Sequence, residues 1–534
     1  MLDLLLHGGR VVDGTGGPQR LADVAVRAGR IVAVQPLPDV VARRTLDVTG
    51  LVVCPGFVDV HSHSDLTLLS GPAAHSKVRQ GVTTEVVGNC GLSPAPLPHG
   101  VDRAQVRAAV GHLDLDPDVL WSWSGFGAFL DTLQDARLSV NVASLVGHLP
   151  LRAAVVGFAD RPASPSEIDR MCALLADAFA AGAVGLSTGM VYAPARYADE
   201  AELVALARVV AAHDAVFAWH VRDYADDLLD SVAQALRVGE QAGCRTQISH
   251  LVAVGRRNWG GAVRALDLVD AAHARGVDVG VDVYPYLAGN TNLFQLMPGW
   301  AQEGGAAAML SRLRDENCRA RIRADLAGYP LGWDEIMVCR IPAGAPDDVL
   351  GRSLAQLAAQ RQRPGADVAM DLLLEYDNDV SMVAFGRSDE DLRAVLRHPL
   401  TVVGSDGYAL DPGGPTGVGL PHPRSYGTYP RLFADHVGGH LDLTEAVAKC
   451  TQRAAQRVGI DDRGVIAPGA VADLVVFDAE ALRDRATFRD PQQYPDGIRL
   501  VTVDGVVVVD DGAHTGARPG TVLRRCLTRP SEDG

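Results

Sequence analysis

The feature that most constrains this chain is a repeat of strand and helix running through its middle. Apolar runs of strand length occupy 56–61, 83–90, 140–148, 183–187, 215–220, 246–250, 277–284 and 400–406, and segments of helical periodicity separate most of them. Ser164-Pro165-Ser166-Glu167 opens one such helix with a capping box and a proline at the first helical position. Ile168, Met171, Leu174, Leu175, Ala178 and Phe179 follow at helical spacing until Gly182 stops it. Further helices are expected over 199–212, 227–243 and 262–276. Strands alternating with helices predict a parallel sheet with right-handed crossovers, and eight of them favour closure into a TIM-like (β/α)8 barrel over 55–461. That span exceeds the roughly 250 residues of a typical barrel, so it must hold insertions. The longest gap, 290–380, is read as a subdomain inserted between strands seven and eight, on the face where it can act as a lid.

The two ends read differently. Residues 1–54 carry short apolar runs separated by Asp13-Gly14 and Ala28-Gly29, and residues 462–534 do the same, with a hairpin turn expected at Asp504-Gly505. Together they predict one small antiparallel β domain, a sandwich or barrel, built from both termini. With 49 Lys plus Arg against 65 Asp plus Glu, a net charge of −16 and no basic run, the chain is unsuited to nucleic acid or anionic membrane as partner. It lacks a secretory leader pattern and any apolar run of membrane-spanning length, so a cytoplasmic protein, monomeric or homo-oligomeric, is expected. Its 8 cysteines show no paired spacing and read as small buried hydrophobes, apart from Cys90. Lysine is scarce: Lys77 and Lys449 are the only two.

The chemistry sits at the strand ends, which finish in His61 and His63, Cys90, His148, His220, His250, Tyr284 and Asp406. In a barrel of this kind the C-terminal strand ends converge on the active site. Histidines in helices or loops, such as His213, His273 and His398, read instead as structural. His61 and His63 stand at i and i+2, so on an extended strand they point to one side and can reach one ion. Imidazole and carboxylate donors suit zinc, and a Cys90 thiolate strengthens that preference over magnesium or calcium. His220 and His250 add two nitrogens. Asp406 sits where a carboxylate can touch both an activated water and the substrate. The set holds enough ligands for two ions, and one tight plus one loose site is equally consistent.

These residues resemble the amidohydrolase superfamily and, within it, the N-acyl-D-amino-acid deacylases, or D-aminoacylases. The resemblance rests on Pro55-Gly56-Phe57-Val58-Asp59-Val60-His61-Ser62-His63, Gly88-Asn89-Cys90-Gly91, Asn258-Trp259-Gly260, Tyr284-Pro285-Tyr286 and His422-Pro423-Arg424-Ser425-Tyr426-Gly427-Thr428. It implies a zinc-dependent amide hydrolase that releases a carboxylic acid and an amine by attack of a zinc-activated hydroxide, with Asp406 as general base. The lysine count agrees. Many binuclear amidohydrolases bridge their metals with a carboxylated lysine at the end of strand four, whereas that strand here ends Leu186-Ser187-Thr188-Gly189. By the same resemblance Cys90, His220 and His250 hold a tight zinc, and His61, His63 and Asp406 form a weaker second site. Arg424, Tyr192 and Tyr284 match residues that hold the substrate α-carboxylate. Two positions depart from the family: Val252 stands where relatives have a lysine, and Asn290, in the substrate loop, where many have a serine. Either Arg256 or Arg257 compensates for the lost ammonium, or the substrate is not an ordinary N-acyl-D-amino acid. His148 remains a candidate for orienting substrate or for packing. Hydrolysis of another C–N bond, in a cyclic amide, imide or carbamate, and a catalytically silent barrel scaffold stay open as alternatives.

Overall fold

The computed structural model describes residues 1–346 and 348–525. Its largest unit is a parallel sheet of eight strands, β1 (Phe57–Asp59), β2 (Val82–Val87), β3 (Asn141–Gly147), β4 (Gly185–Gly189), β5 (Val216–His220), β6 (Arg245–Ile248), β7 (Val279–Val283) and β8 (Thr401–Val403), each paired with its neighbour in sequence order. Both faces are covered, so the strands are buried nearly throughout. Val58, Val86, Ala143, Leu145, Val184, Val216, Ala218 and Val402 form one core, while the alternating positions Val142, Val146 and Phe217 belong to another. The predicted helix after Ser164 spans Pro165–Ala180, with both halves of the capping box formed. Helices Glu200–Ala212, Leu228–Ala242 and Gly261–Ala274 occupy the other expected crossovers.

β1 and β8 share no regular ladder. The barrel closes just past their ends, where Asp406 N donates to the His61 carbonyl at 2.7 Å and His63 N to the Gly407 carbonyl at 2.9 Å. The two lysines bracket β8. Lys449 Nζ donates to the carbonyls of His398 (2.6 Å) and Thr401 (3.1 Å) at its start. Lys77 Nζ donates to Ser405 Oγ and Asp59 Oδ2, each at 2.7 Å, and lies 3.5 Å from Glu85 Oε2. Lys77, Asp59 and Glu85 are fully buried, so this is an ion cluster fixed across the seam between β8, β1 and β2.

A second sheet joins the two termini. Strands Leu2–Val11, Arg20–Arg27, Arg30–Gln35, Ala42–Asp47 and Val52–Pro55 combine with Leu474–Phe477, Ile498–Val503, Val506–Asp510 and Ala513–His514. The Asp504-Gly505 turn forms as expected, both residues at positive φ (49° and 75°), which matches the twist of a two-residue hairpin. The sheet is mixed rather than antiparallel, because Leu2–Val11 pairs in parallel with Ala42–Asp47 and with Val52 and Val53. Between β7 and β8 lies a three-stranded antiparallel sheet, Ala288–Asn292, Ser381–Phe385 and Ile336–Arg340 in spatial order, with helices and a core of its own. Among the described residues no helix is long and apolar enough to cross a membrane.

Candidate metal centre and substrate cavity

One side-chain atom from each of His61, Cys90, His250 and Asp406 lies within 4.8 Å of the others, and all four residues are buried. Cys90 Sγ is 3.3 Å from His61 Nε2 and 3.4 Å from His250 Nε2, and the Asp406 Oδ1 atom is 2.9 Å from His63 Nε2 and 3.5 Å from His61 Nε2. His220 packs edge-on against His250, with ring centroids 4.6 Å apart. The tight cluster therefore recruits His61 and Asp406 beside Cys90 and His250. Of the trio implied by the resemblance, Cys90 and His250 belong to that group, and His220 lies beside it against the His250 ring.

Cys90, His250 and Asp406 have φ of 54°, 35° and 51°, in the left-handed region that side chains rarely adopt. Each follows the end of its strand, where a sharp reversal starts the next loop. Strain of this kind persists only where the surroundings over-determine it. The Asn89 side chain supplies part of that constraint by donating to the Val60 (3.3 Å) and Val86 (2.9 Å) carbonyls. Gly91 supplies another, because a Cβ there would come within 2.7 Å of Gly189 N. Sequence reasoning passed over Asp282, which accepts from His250 N at 2.8 Å and sits 3.1 Å from His61 Nδ1, fixing which nitrogen His61 presents to the cluster. Its signal was a lone carboxylate inside the otherwise apolar strand β7.

Charge in this cluster is arranged for metal. Burial opposes ionisation of Cys90, but the imidazoles of His61, His250 and His220 hold its thiol well below the ordinary range. Burial likewise opposes the Asp406 carboxylate, and Arg424, His61 and His63 outweigh it, holding the carboxyl well below its usual range. His63 is shifted up to about 9, against burial, by Asp406 and Cys90.

Above the cluster opens a cavity of about 540 Å³. Tyr192, Tyr284, Asn290 and Arg424 line it as expected, together with Tyr224 and Arg387, which sequence reasoning did not single out. Arg424 Nη1 donates to Asp406 Oδ2 at 2.6 Å, and its guanidinium lies 4.6 Å from the Tyr284 ring centre. Tyr192 stacks edge-on to His220, with its hydroxyl 3.4 Å from Thr291 Oγ1. Asn290 borders the cavity, but its amide donates to the Met382 carbonyl (2.9 Å) and Cys339 Sγ (3.2 Å). His148 does not line the cavity. Its nitrogens engage Thr188 Oγ1 at 2.9 Å and Glu202 Oε1 at 2.8 Å in a buried network that includes Arg152, so packing is the role its position supports. Val252 is in the cavity wall. Of the two expected substitutes for a lysine there, Arg257 is bound to Asp226 at 2.7 and 2.8 Å, and Arg256 stacks on Trp259 and is not among the residues that line the cavity.

An eight-stranded parallel barrel that gathers cysteine, histidine and aspartate at one end defines a barrel built to hold a metal ion. A model of the amidohydrolase family matches residues 44–509. Over 527 residues the chain is 37% identical to an N-acyl-D-glutamate deacylase of Alcaligenes xylosoxydans xylosoxydans, covering 98% of this chain and 97% of that one. It is 36% identical to a D-aminoacylase of the same organism, covering 98% of each. Its fold matches the crystal structure of an N-acyl-D-glutamate deacylase from Bordetella bronchiseptica, complexed with zinc and a phosphonate mimic of the tetrahedral intermediate. The TM-score is 0.84 at 34% identity, covering 98% of this chain and 100% of that one. An L-hydantoinase from Arthrobacter aurescens, at TM-score 0.57 and 18% identity, shares the fold alone. The chain belongs to the amidohydrolase family, and within it to the N-acyl-D-amino-acid deacylases.

Proposed function

We propose that this protein hydrolyses the amide bond of an N-acyl-D-amino acid, releasing a carboxylic acid and the D-amino acid, in the cytoplasm. The observation that carries the reading is the convergence of Cys90, His61, His63, His220, His250 and Asp406 on the floor of a cavity whose wall carries Arg424. Full-length similarity to proteins named as deacylases supports it.

The donor set fits zinc. It offers a thiol held toward thiolate, imidazole nitrogens and one carboxylate, a borderline-soft combination. The buried Nδ1 of His220 makes no hydrogen bond among the described residues. Cys90, His220 and His250, with His61, His63 and Asp406, would hold one tight ion and a weaker second. Zinc bound there supplies a Lewis acid for the scissile carbonyl and lowers the pKa of water. Asp406 starts as the carboxylate, takes the proton from the attacking water and returns it to the leaving amine. Arg424 holds Asp406 in orientation, and its remaining donors, with Tyr192 and Tyr284, face the substrate carboxylate. In this reading 55–461 is the catalytic barrel, 1–54 and the described part of 462–534, up to residue 525, support it, and 290–380 covers the cavity.

The test is a panel of N-acetyl-D- and N-acetyl-L-amino acids beside cyclic amides, run with metal analysis. A D-selective rate in zinc-bearing protein is expected. Turnover of cyclic amides alone, or full activity without metal, would overturn the assignment.

A further inference from the structure

Beside Arg424, which is paired with Asp406, the cavity holds a second guanidinium, that of Arg387, with no acidic partner among the described residues. Arg387, just beyond the inserted strand Ser381–Phe385, lies 4.7 Å from the centre of the Tyr284 ring, which Arg424 also approaches, at 4.6 Å. The two cations thus flank one aromatic ring. They differ in what they are bound to. Arg424 commits Nη1 to Asp406, whereas Arg387 Nη1 is buried with no hydrogen-bond partner among the described residues. A buried charged donor left unpaired costs free energy, and an anionic group that reaches it gains a charge-assisted hydrogen bond. The backbone makes room for this side chain: a Cβ on Gly289 would stand 2.7 Å from Arg387 Nη2. Other arginines of the cavity are less available. Arg257 is spent on Asp226, Arg222 donates to Gln234, Arg196 and Ala198, and Arg196 donates to the Val191 carbonyl at 3.4 Å.

We propose that Arg387 is a specificity-determining residue that binds the α-carboxylate of the substrate, supplying from the loop after the inserted sheet the cation that Val252 cannot supply from the barrel. The proposal rests on the deacylase reading and deepens it. A planar guanidinium can grip a carboxylate with two parallel N–H donors, so the exchange of lysine for arginine changes both the direction of approach and the fit. It also ties substrate recognition to the insertion, since Arg387 follows a strand of that sheet.

The test compares N-acetyl-D-methionine with its α-carboxamide in wild type, Arg387→Met, Arg387→Lys and Arg196→Met. Loss of a charge-assisted pair predicts that Arg387→Met raises KM for the acid roughly ten- to hundredfold and leaves the amide within about twofold. Arg387→Lys should recover part of the loss on the acid. Equal losses on acid and amide would overturn the proposal, as would a carboxylate-selective loss in Arg196→Met instead. A loss confined to N-acetyl-D-glutamate and N-acetyl-D-aspartate would also overturn it by moving Arg387 to the side-chain carboxylate. Should wild type turn over no N-acyl-D-amino acid, the hydrolase reading fails by itself. Calorimetric binding of the same acid and amide to wild type and Arg387→Met then still decides the role of Arg387.

Discussion

The floor of the cavity is made from barrel strand ends and its roof from the insertion, and the two hold their polar groups differently. On the floor His61 is held by Cys90 and Asp282 and Asp406 by His63 and Arg424, and the turns carrying Cys90, His250 and Asp406 are left-handed backbone. On the roof Arg387 keeps an unsatisfied donor, and the Asn290 amide faces its own sheet. A doubly fixed group cannot change without disturbing the chemistry. A spare donor can be changed while the cluster of candidate metal ligands stays in place.

Variants can break that contrast. The largest effect is expected from Asp406→Asn, which should lower kcat by roughly 10³- to 10⁴-fold with the circular dichroism spectrum unchanged, as for removal of a general base; a loss under tenfold would take Asp406 out of the reaction. Lys77→Met would leave Asp59 and Glu85 buried without their cation, and urea unfolding should record a loss of about 3–5 kcal/mol. A loss below about 1 kcal/mol would mean the seam does not depend on this cluster. Asp282→Asn should weaken zinc binding by roughly ten- to a hundredfold in a chelator competition, because His61 loses the partner that orients it.

Acid separates the scaffold from the site. His436, outside both floor and roof, is brought down from 6.5 to about 4 by burial and by the neighbouring His440. A depressed histidine favours the neutral form in the folded state. Its contribution is present in full above pH 6.5 and lost as pH falls through about 4, a dependence that His436→Gln should remove from the pH profile of urea unfolding. An unchanged acid limb in that variant would refute this. The smallest effect belongs to the roof: Asn290→Ala removes bonds worth about 1 kcal/mol and should shift KM by no more than about tenfold with zinc content unaltered. Loss of zinc in that variant would erase the distinction between roof and floor.

The floor was legible in the sequence because a barrel converts strand ends into neighbours, so residues as far apart as His61 and Asp406 declared themselves by position alone. Their grouping was not legible. Which atoms meet Cys90 depends on the pairing of β1 with β8, and that pairing is made beyond the ends of both strands. The parallel pairing of Leu2–Val11 escaped notice for a similar reason, since apolar alternation records which face is buried but not strand direction. His148 shared its place at a strand end with the candidate metal ligands. Only the fold revealed Glu202, from a later helix, at its far nitrogen. Arg387 lies in a loop with no periodicity to mark it.

The two lysines carry a practical consequence. Both are buried, one at each end of β8, the strand that closes the barrel and leads to Asp406. The native surface therefore presents no lysine ammonium to acylating reagents. Covalent labelling of Lys77 or Lys449, followed by mass over time, becomes a clock for the detachment of β8, read at two points on the same strand and without a spectroscopic probe.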